Sequence, residues 1–393
     1  MRPGIRFRFV LFVWLCAFGL LAGTVVGSAE ARSEDARRTI VKVRHIAPGL
    51  TFTRIIEKKI PRRTFVLRVD LSERVTFDVD LAAPELPASA RTSQMARRAD
   101  ALAAVNGDFG SVVRPTHPFA EDGELLQGSG VGNPTFAVST DEQRVFMGTA
   151  RPTVTVSDPA SSRTWVIDRW NRGAPDLGEI AGFSPPIGTL ESPPEFACSV
   201  RLQPSGPPVL ADPDGVDRPY VVDQAGCSDA PLERSGGVVL SAVPATDEAV
   251  ALLSLVPDQT VTLHWTLGWP GVLDAIGGMP MLVADGEIVV DPGCRGGLCG
   301  PNPRTGIGVT ANGRLLLVVV DGRRERWSKG PTFFGFARIM RSQGAVWAMN
   351  LDGGGSSTMV VEGEVVNRPS DGNERRVSNA VLVLPGPDPG EAR

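Results

Sequence analysis

Histidine and tyrosine are scarce in this chain, and basic residues do not outnumber acidic ones. Three histidines occur, His45, His117 and His264, with a single tyrosine. No H-E-x-x-H segment exists, and no two histidines stand at metal-ligand spacing, so the common zinc-hydrolase patterns are excluded. No histidine is near a Gly-x-Ser-x-Gly elbow, so a Ser-His-Asp triad has no local signature. The formal charge is −4, and without a basic excess a nucleic-acid partner is not expected. Aromatics make up 6% of the chain, whereas Gly (44) and Pro (33) are plentiful. That balance argues against a helical bundle and for a β-rich core with many turns.

Only one long apolar run occurs, Phe9 to Val26, after Arg2, Arg6 and Arg8. Ser28-Ala29-Glu30-Ala31 follows and suits a signal peptidase, so residues 1–31 read as a signal peptide. The mature protein is then secreted or held in the cell envelope, and the membrane is met only through the leader. An uncleaved signal anchor is the alternative, because the run is nearly long enough to span a bilayer. Cys16 falls inside the leader, leaving Cys198, Cys227, Cys294 and Cys299. An even count in an oxidising compartment predicts disulfides, Cys198–Cys227 and Cys294–Cys299. Zinc is the rival, but the pairs lack CxxC spacing.

Residues 32–38 are charged. Period-two alternation predicts three antiparallel strands over Thr51–Ile56, Thr64–Asp70 and Val75–Asp80, in an N-terminal β region, 32–91. A main domain is expected over 92–386, with a flexible tail at 387–393. It opens on a helix over Thr92–Ala101, capped by Thr92 or Ser93, and a short strand from Leu102 to Val105. Residues 170–235 are Pro-rich and without clear periodicity, and read as an insertion or a set of long loops. Further on, Asn312-Gly313 predicts a hairpin turn with positive φ at both positions. Leu315–Val320 is apolar throughout and should be buried on both faces. A helix is expected over Thr332–Ser342 with Gly344 as its stop, then a strand over Ala345–Leu351. A hairpin from Thr358 to Val366 and a last strand over Val377–Leu384 complete the chain. The fold class expected is α+β, a mixed and largely antiparallel twisted sheet with few helices.

Polar residues gather where these strands end: Asn106 and Asp108, Arg304-Thr305, Asp321-Gly322-Arg323, Asp352, Asp371 and Glu374-Arg375. Loops at the ends of rigid strands commonly carry binding groups. Gly353-Gly354-Gly355 can turn successive N–H groups toward one point as an anion nest, with Ser356 and Ser357 adding hydroxyls. A purely structural turn is the other reading of the glycines. No GK[ST] follows them, so they are not a P-loop. Carboxylates beside an arginine suit glycoside hydrolysis, where one acid protonates the leaving oxygen and another serves as base or nucleophile. The arginine and the nest would suit a phosphate in the leaving group.

Several stretches together resemble the phosphodiester glycosidase domain family. They are "NLDGGGSSTM" (350–359), "PRTGIGV" (303–309), "LLLVVVDGR" (315–323) and "NRPSDGNERRVSNAVLV" (367–383), with weaker likeness in "AVNGDFG" (104–110) and "IGGMPMLVADG" (276–286). They run in order over about 92–384. The resemblance implies hydrolysis of the C1–O bond of a sugar-1-phosphodiester of the N-acetylglucosamine kind, releasing sugar and phosphomonoester. It points to Asp352 and Glu374 as catalytic carboxylates, without assigning acid and base. It points to Arg304 for the phosphate, helped by Gly353, Gly354, Gly355 and Ser356. Asn106, Asp321 and Arg375 would shape the pocket, with Asp108, Thr305, Ser357 and Asp371 nearby. Asp108 and Gly110 depart from the family pattern, in which Gly and a second aromatic are usual.

No cofactor is expected, although Asp321, Asp352 and Asp371 together have the oxygen ligands a calcium ion takes. The expected partner is a sugar-phosphate or cell-envelope polysaccharide; the sequence leaves the oligomeric state open. The competing reading is a non-catalytic envelope module that binds the same glycan without cleaving it.

Overall fold

A computed structural model describes residues 39–109, 113–128, 132–139, 144–210 and 215–386. The leader, the charged segment after it and the C-terminal tail lie outside these residues. Strands dominate what is described, and helices are three: α1 (Thr92–Arg98), α2 (Asp247–Leu253) and α3 (Phe333–Ser342). The α+β expectation therefore fits only loosely. The sheets are antiparallel apart from one short parallel pair, Arg169–Trp170 with Ile180–Phe183.

The part that carries the polar strand ends has four layers. One central layer is an eight-stranded sheet ordered 39–47, 50–57, 62–69, 315–320, 304–310, 345–350, 281–284 and 287–288. The other is a five-stranded sheet ordered 364–365, 359–361, 103–106, 379–385 and 75–81. Successive strand residues face opposite sides, and the core follows that rule. Leu315, Leu317 and Val319 enter the core between the sheets with Phe65, Phe77, Val105, Met359 and Val381. Leu316, Val318 and Val320 face the other way and pack under α3 with Phe336 and Met340. Ala104, Val360 and Leu382 do the same under Met95 and Ala96 of α1. Each fully buried Phe or Leu of these layers contributes about 1.5–3 kcal/mol.

The sequence expectation of three neighbouring N-terminal strands needs correcting. Four strands form, and Val75–Leu81 leaves the others to pair with Asn379–Pro385 in the second sheet. The Asn312-Gly313 hairpin is present, but only Gly313 has positive φ, at 78°. Gly313 N–H donates to Thr310 O at 2.9 Å, a turn longer than the two-residue type. Two-residue turns with positive φ at both positions are instead Asp122-Gly123, Asp285-Gly286 and Glu362-Gly363. The N-cap of α1 is Arg91, not Thr92 or Ser93.

Residues 170–235 form no set of long loops. Strands Ile180–Phe183, Ala197–Pro204 and Val216–Ser228 lie in a nine-stranded sheet with 153–158, 163–166, 238–242 and 260–266. This sheet has a core of its own around Val200, Leu240, Val261 and Trp265. Prolines and sparse apolar residues hid its strands. Cys198 and Cys227 face each other across two of them and form a disulfide, and Cys294 pairs with Cys299. No helix among the described residues is long and apolar enough to cross a membrane.

Candidate active site

The ends of strands 103–106, 304–310, 315–320 and 345–350 meet the loops that follow them, and segment 367–378 crosses over. Buried backbone and amide groups need partners, and here they find one another. Asn106 is fully buried at the centre. Its Oδ1 accepts from Thr305 Oγ1 at 2.7 Å and Thr358 N at 3.1 Å, and its Nδ2 donates to Asp352 O at 2.8 Å. Asp352 N–H donates to Gly107 O at 3.1 Å. One amide thus fixes the acid's backbone to both sheets.

Asp352 is half-buried. Burial pushes its carboxyl up from the ordinary range, and the neighbouring Asp108 charge adds to that. The Ser356 hydroxyl, the Gly353 N–H at 2.8 Å and the Arg375 charge pull the other way and do not win. Glu374 is next in the chain to Arg375. Its carboxylate accepts from Ser93 N at 3.0 Å and Ser93 Oγ at 2.6 Å. It therefore sits at the positive end of α1 and satisfies an N–H there. The Ser93 hydroxyl is thus bound to Glu374 and not to its own helix.

The three glycines have a different role from the one expected. The N–H of Gly353 goes to Asp352, that of Gly354 to Pro303 O, that of Ser356 to Gly353 O and that of Ser357 to Gly354 O. Four of these N–H groups are thus engaged, so a nest of successive free donors is not formed. What the glycines allow is close approach on three sides. A Cβ on Gly353 would lie 2.8 Å from Pro303 O, and one on Gly354 2.8 Å from Arg323 Nη2. A Cβ on Gly355 would lie 2.0 Å from Asp371 Oδ2 and 2.2 Å from Arg375 Nη2. Gly354 also has φ +64°, which glycine adopts without penalty.

The expectation that Arg304 holds a phosphate does not survive its surroundings. Its side chain is buried and lies over the Phe333 ring, 3.8 Å from the centroid. Nη2 donates to Leu298 O at 2.6 Å and Gly300 O at 2.7 Å, and Nε to Pro331 O at 3.3 Å. Burial, then the nearby Arg323, lowers its pKa to about 10. Arg304 anchors the loop closed by Cys294–Cys299. Exposed guanidinium groups lie over Gly354 and Gly355, those of Arg323 and Arg375. Arg323 Nε donates to Asn302 Oδ1 at 3.0 Å. Asp371 lies between the two arginines, 2.6 Å from Arg375 Nη2 and 3.9 Å from Arg323 Nη1. Although partial burial pushes the Asp371 carboxyl up, Arg375 and Arg323 hold it below the ordinary range.

Asp321 is buried and faces inward, correcting its place as a pocket wall. It accepts from Trp327 Nε1 at 2.8 Å, Arg368 N at 3.0 Å and Asn367 Nδ2 at 3.2 Å. Burial pushes its carboxyl up against those donors. Asp108 is likewise buried, with Thr305, Ser356 and Ser357. Among the described residues no three His, Cys, Asp or Glu side chains gather as a metal site, and Asp321, Asp352 and Asp371 do not cluster. The sequence reading missed three participants: Ser93, His117 beside Asp108, and Arg323 as the exposed cation. Arg323 stood in the Asp-Gly-Arg segment; Ser93 and His117 carried no local signal.

Residues 220–384 match the family model described as phosphodiester glycosidase. The SPbeta prophage-derived uncharacterized protein YomE of Bacillus subtilis is 42% identical over 82 residues, 21% of this chain and 13% of that protein. The bovine N-acetylglucosamine-1-phosphodiester alpha-N-acetylglucosaminidase is 39% identical over 87 residues, 20% of this chain and 16% of that one. The human enzyme is 41% identical over the same shares. The matched segment thus spans roughly a seventh of the length of these relatives. A solved protein of Burkholderia pseudomallei shares the fold with TM-score 0.64 and 18% identity, over 88% of this chain and 96% of its own. A hypothetical protein from Synechocystis does so with TM-score 0.64 and 19% identity, over 88% and 63%.

Proposed function

We propose, from the match of residues 220–384 to the phosphodiester glycosidase family model, that this chain hydrolyses the C1–O bond of a sugar-1-phosphodiester. The observation that supports it best is a half-buried carboxyl, Asp352, whose pKa burial raises, beside two exposed arginines on a glycine floor. Asp352 is assigned as the acid. It gives its proton to the bridging phosphate oxygen as the C1–O bond breaks. A water oxygen bonds to C1 and loses its proton to the second carboxylate, Glu374, which two hydrogen bonds from Ser93 hold in place. Phosphomonoesters have a second pKa near ~6, so the departing group needs less protonation than an alkoxide would. Neutralising its charge matters more, and Arg323 and Arg375 are assigned to that.

An N-acetylglucosamine-like sugar in a cell-envelope polysaccharide is the substrate we favour, acted on outside the cytosol. The two disulfides suit that compartment. The test is product analysis on N-acetylglucosamine-1-phosphate methyl diester with wild type, D352N and E374Q. Release of the free sugar and methyl phosphate by wild type alone supports the reading. Saturable binding with no product from this or other sugar-1-phosphodiesters would leave the glycan-binding module in its place.

A further inference from the structure

Arg323 and Arg375 reach the glycine floor from different parts of the chain, one in the loop 322–330 and one in the segment 367–378. Asp321 lies between the two. It follows strand Leu315–Val320 and is buried, with its side chain turned inward. Its Oδ2 accepts from Trp327 Nε1 at 2.8 Å, in the far limb of the Arg323 loop. Its Oδ1 accepts from Arg368 N at 3.0 Å and Asn367 Nδ2 at 3.2 Å, in the segment that leads to Arg375. The backbone of Asp321 is fixed as well: its N–H donates to Arg63 O at 3.1 Å, and its O accepts from Ser328 Oγ at 2.6 Å. A buried carboxyl needs such partners, and this one gives each oxygen to a different loop.

The Arg323 loop is closed on itself. Arg323 N–H donates to Lys329 O at 3.2 Å, Arg324 N–H to Ser328 O at 3.1 Å and Trp327 N–H to Arg324 O at 2.9 Å. Arg323 has φ +58°, the left-handed region, which disfavours a residue with a Cβ. Such a backbone persists where its surroundings over-determine it. Trp327 is among those surroundings. The Arg63 guanidinium lies over its ring, 3.7 Å from the centroid, and that of Arg368 lies at 5.4 Å. Arg324 Nη2 adds a second link between the loops, to Pro369 O at 3.3 Å and Ser370 O at 3.4 Å. Asn367 carries the tie on to the glycine loop: its Nδ2 also donates to Ser357 O at 2.9 Å, and its Oδ1 accepts from Met359 N at 2.8 Å.

We propose that Asp321 is a positioning residue that fixes Arg323 relative to Arg375, by holding Trp327 of one loop and Asn367 and Arg368 of the other. The inference rests on these two arginines receiving the phosphate of the proposed reaction. Two guanidinium groups grip one phosphate together only at a set separation, because their donors form rigid forks. Both stand on connecting segments, which are more mobile than the strands they join. Through Asp321 both segments are referenced to the end of one buried strand. An asparagine cannot take its place. It has a single acceptor oxygen, so either Trp327 Nε1 or the Arg368 N–H would face another N–H donor.

The experiment is a double-mutant cycle on phosphate affinity. Methyl phosphate is titrated calorimetrically into wild type, W327F, R323A, W327F/R323A and D321N. W327F keeps a ring beside Arg63 and removes the Nε1 donor, so it cuts only the tie from Asp321 to the Arg323 loop. R323A should weaken methyl phosphate about tenfold. W327F should weaken it about fivefold when Arg323 is present and not at all in R323A, because its effect passes through that arginine. D321N should weaken it at least as much as W327F. Wild-type affinity in W327F or in folded D321N overturns the proposal, and so does an equal loss from W327F with and without Arg323, the mark of a merely structural role. If D321N does not fold, as judged by circular dichroism, the W327F cycle decides. If wild type binds methyl phosphate no better than R323A, the arginine assignment falls and the positioning role falls with it. A coupled cycle in a protein that releases no sugar would leave Asp321 in its role and remove the proposed hydrolysis.

Discussion

Gly355→Ala is the sharpest perturbation of the site, because its effect on folding and on rate should part. A Cβ there would lie 2.0 Å from Asp371 Oδ2 and 2.2 Å from Arg375 Nη2. Ordinary contact needs about 3.5 Å, so those two groups must retreat by about 1.5 Å. Both are ends of flexible side chains, 40% and 45% exposed. An exposed ion pair is worth at most about 1 kcal/mol. Gly355 is not among the glycines with positive φ, so alanine brings no backbone strain. The melting temperature should therefore fall by no more than about 2–4 °C. Catalysis should suffer more, since about 1 Å of misplacement can cost about 100-fold. The expected fall in kcat/KM is of that order, equivalent to about 2.7 kcal/mol of transition-state stabilisation. Sugar release measured beside a thermal melt reads both quantities. Gly363→Ala is the control: it has φ +79° and open space around it, so it strains a turn and should spare the rate. Full activity in a folded G355A would show that the Asp371–Arg375 rim takes no part in turnover. Unfolding of G355A would show that the rim is structural.

Other variants separate the remaining assignments. R323A should raise KM for a phosphodiester about tenfold with little change in melting temperature, whereas R304A should lose about 2–4 kcal/mol of stability from its buried hydrogen bonds and ring contact; the opposite pattern in melts and kinetics would return the phosphate to Arg304. D371N should lower KM up to about fivefold, because it frees both arginines from an exposed pair; a raised KM would mean that Asp371 orients them for the substrate. Glu121 is pushed up to about 8, first by burial and then by Asp80, Asp78 and Asp122. The folded state thus keeps a proton that the unfolded chain releases near the ordinary glutamate value of 4.5. Its stability contribution is complete below that value and lost as pH rises toward 8. E121Q should flatten the wild-type decline in melting temperature between pH 5 and 8 and be more stable than wild type at pH 8.5, by about 2–4 kcal/mol; parallel pH curves for the two proteins would discount the buried acid.

What could be read in the sequence was what local periodicity encodes. Leu315–Val320 is apolar at every position because alternate residues face two different cores, and that pattern is visible without a structure. Thr332 and Gly344 bracket α3 as its cap and stop chemistry predicts. The residues of the strand-end motifs do meet one another in the fold. What they did not reveal was how the polar groups there share partners. Asn106 reaches Asp352 across 246 positions, Asp108 reaches Asn379 across 271, and Ser93 reaches Glu374 across 281. No local pattern carries such a pairing.

The triple glycine shows the same limit from the other side. Glycine signals that something must come close, but not what. Read locally, the loop offered donors to an anion. In the fold four of its donors are engaged, and the space left by three missing Cβ atoms is filled by Pro303, Arg323, Asp371 and Arg375. The positive charge expected from backbone N–H groups is thus supplied by guanidinium groups resting on that backbone. An arginine held this way keeps its fork of donors toward solvent only if its neighbours are small. The glycines and the arginines are therefore one device. A substitution at Gly354 or Gly355 should act on phosphate recognition through the arginine above it, while one at Gly353, which meets Pro303 O, should act on the fold.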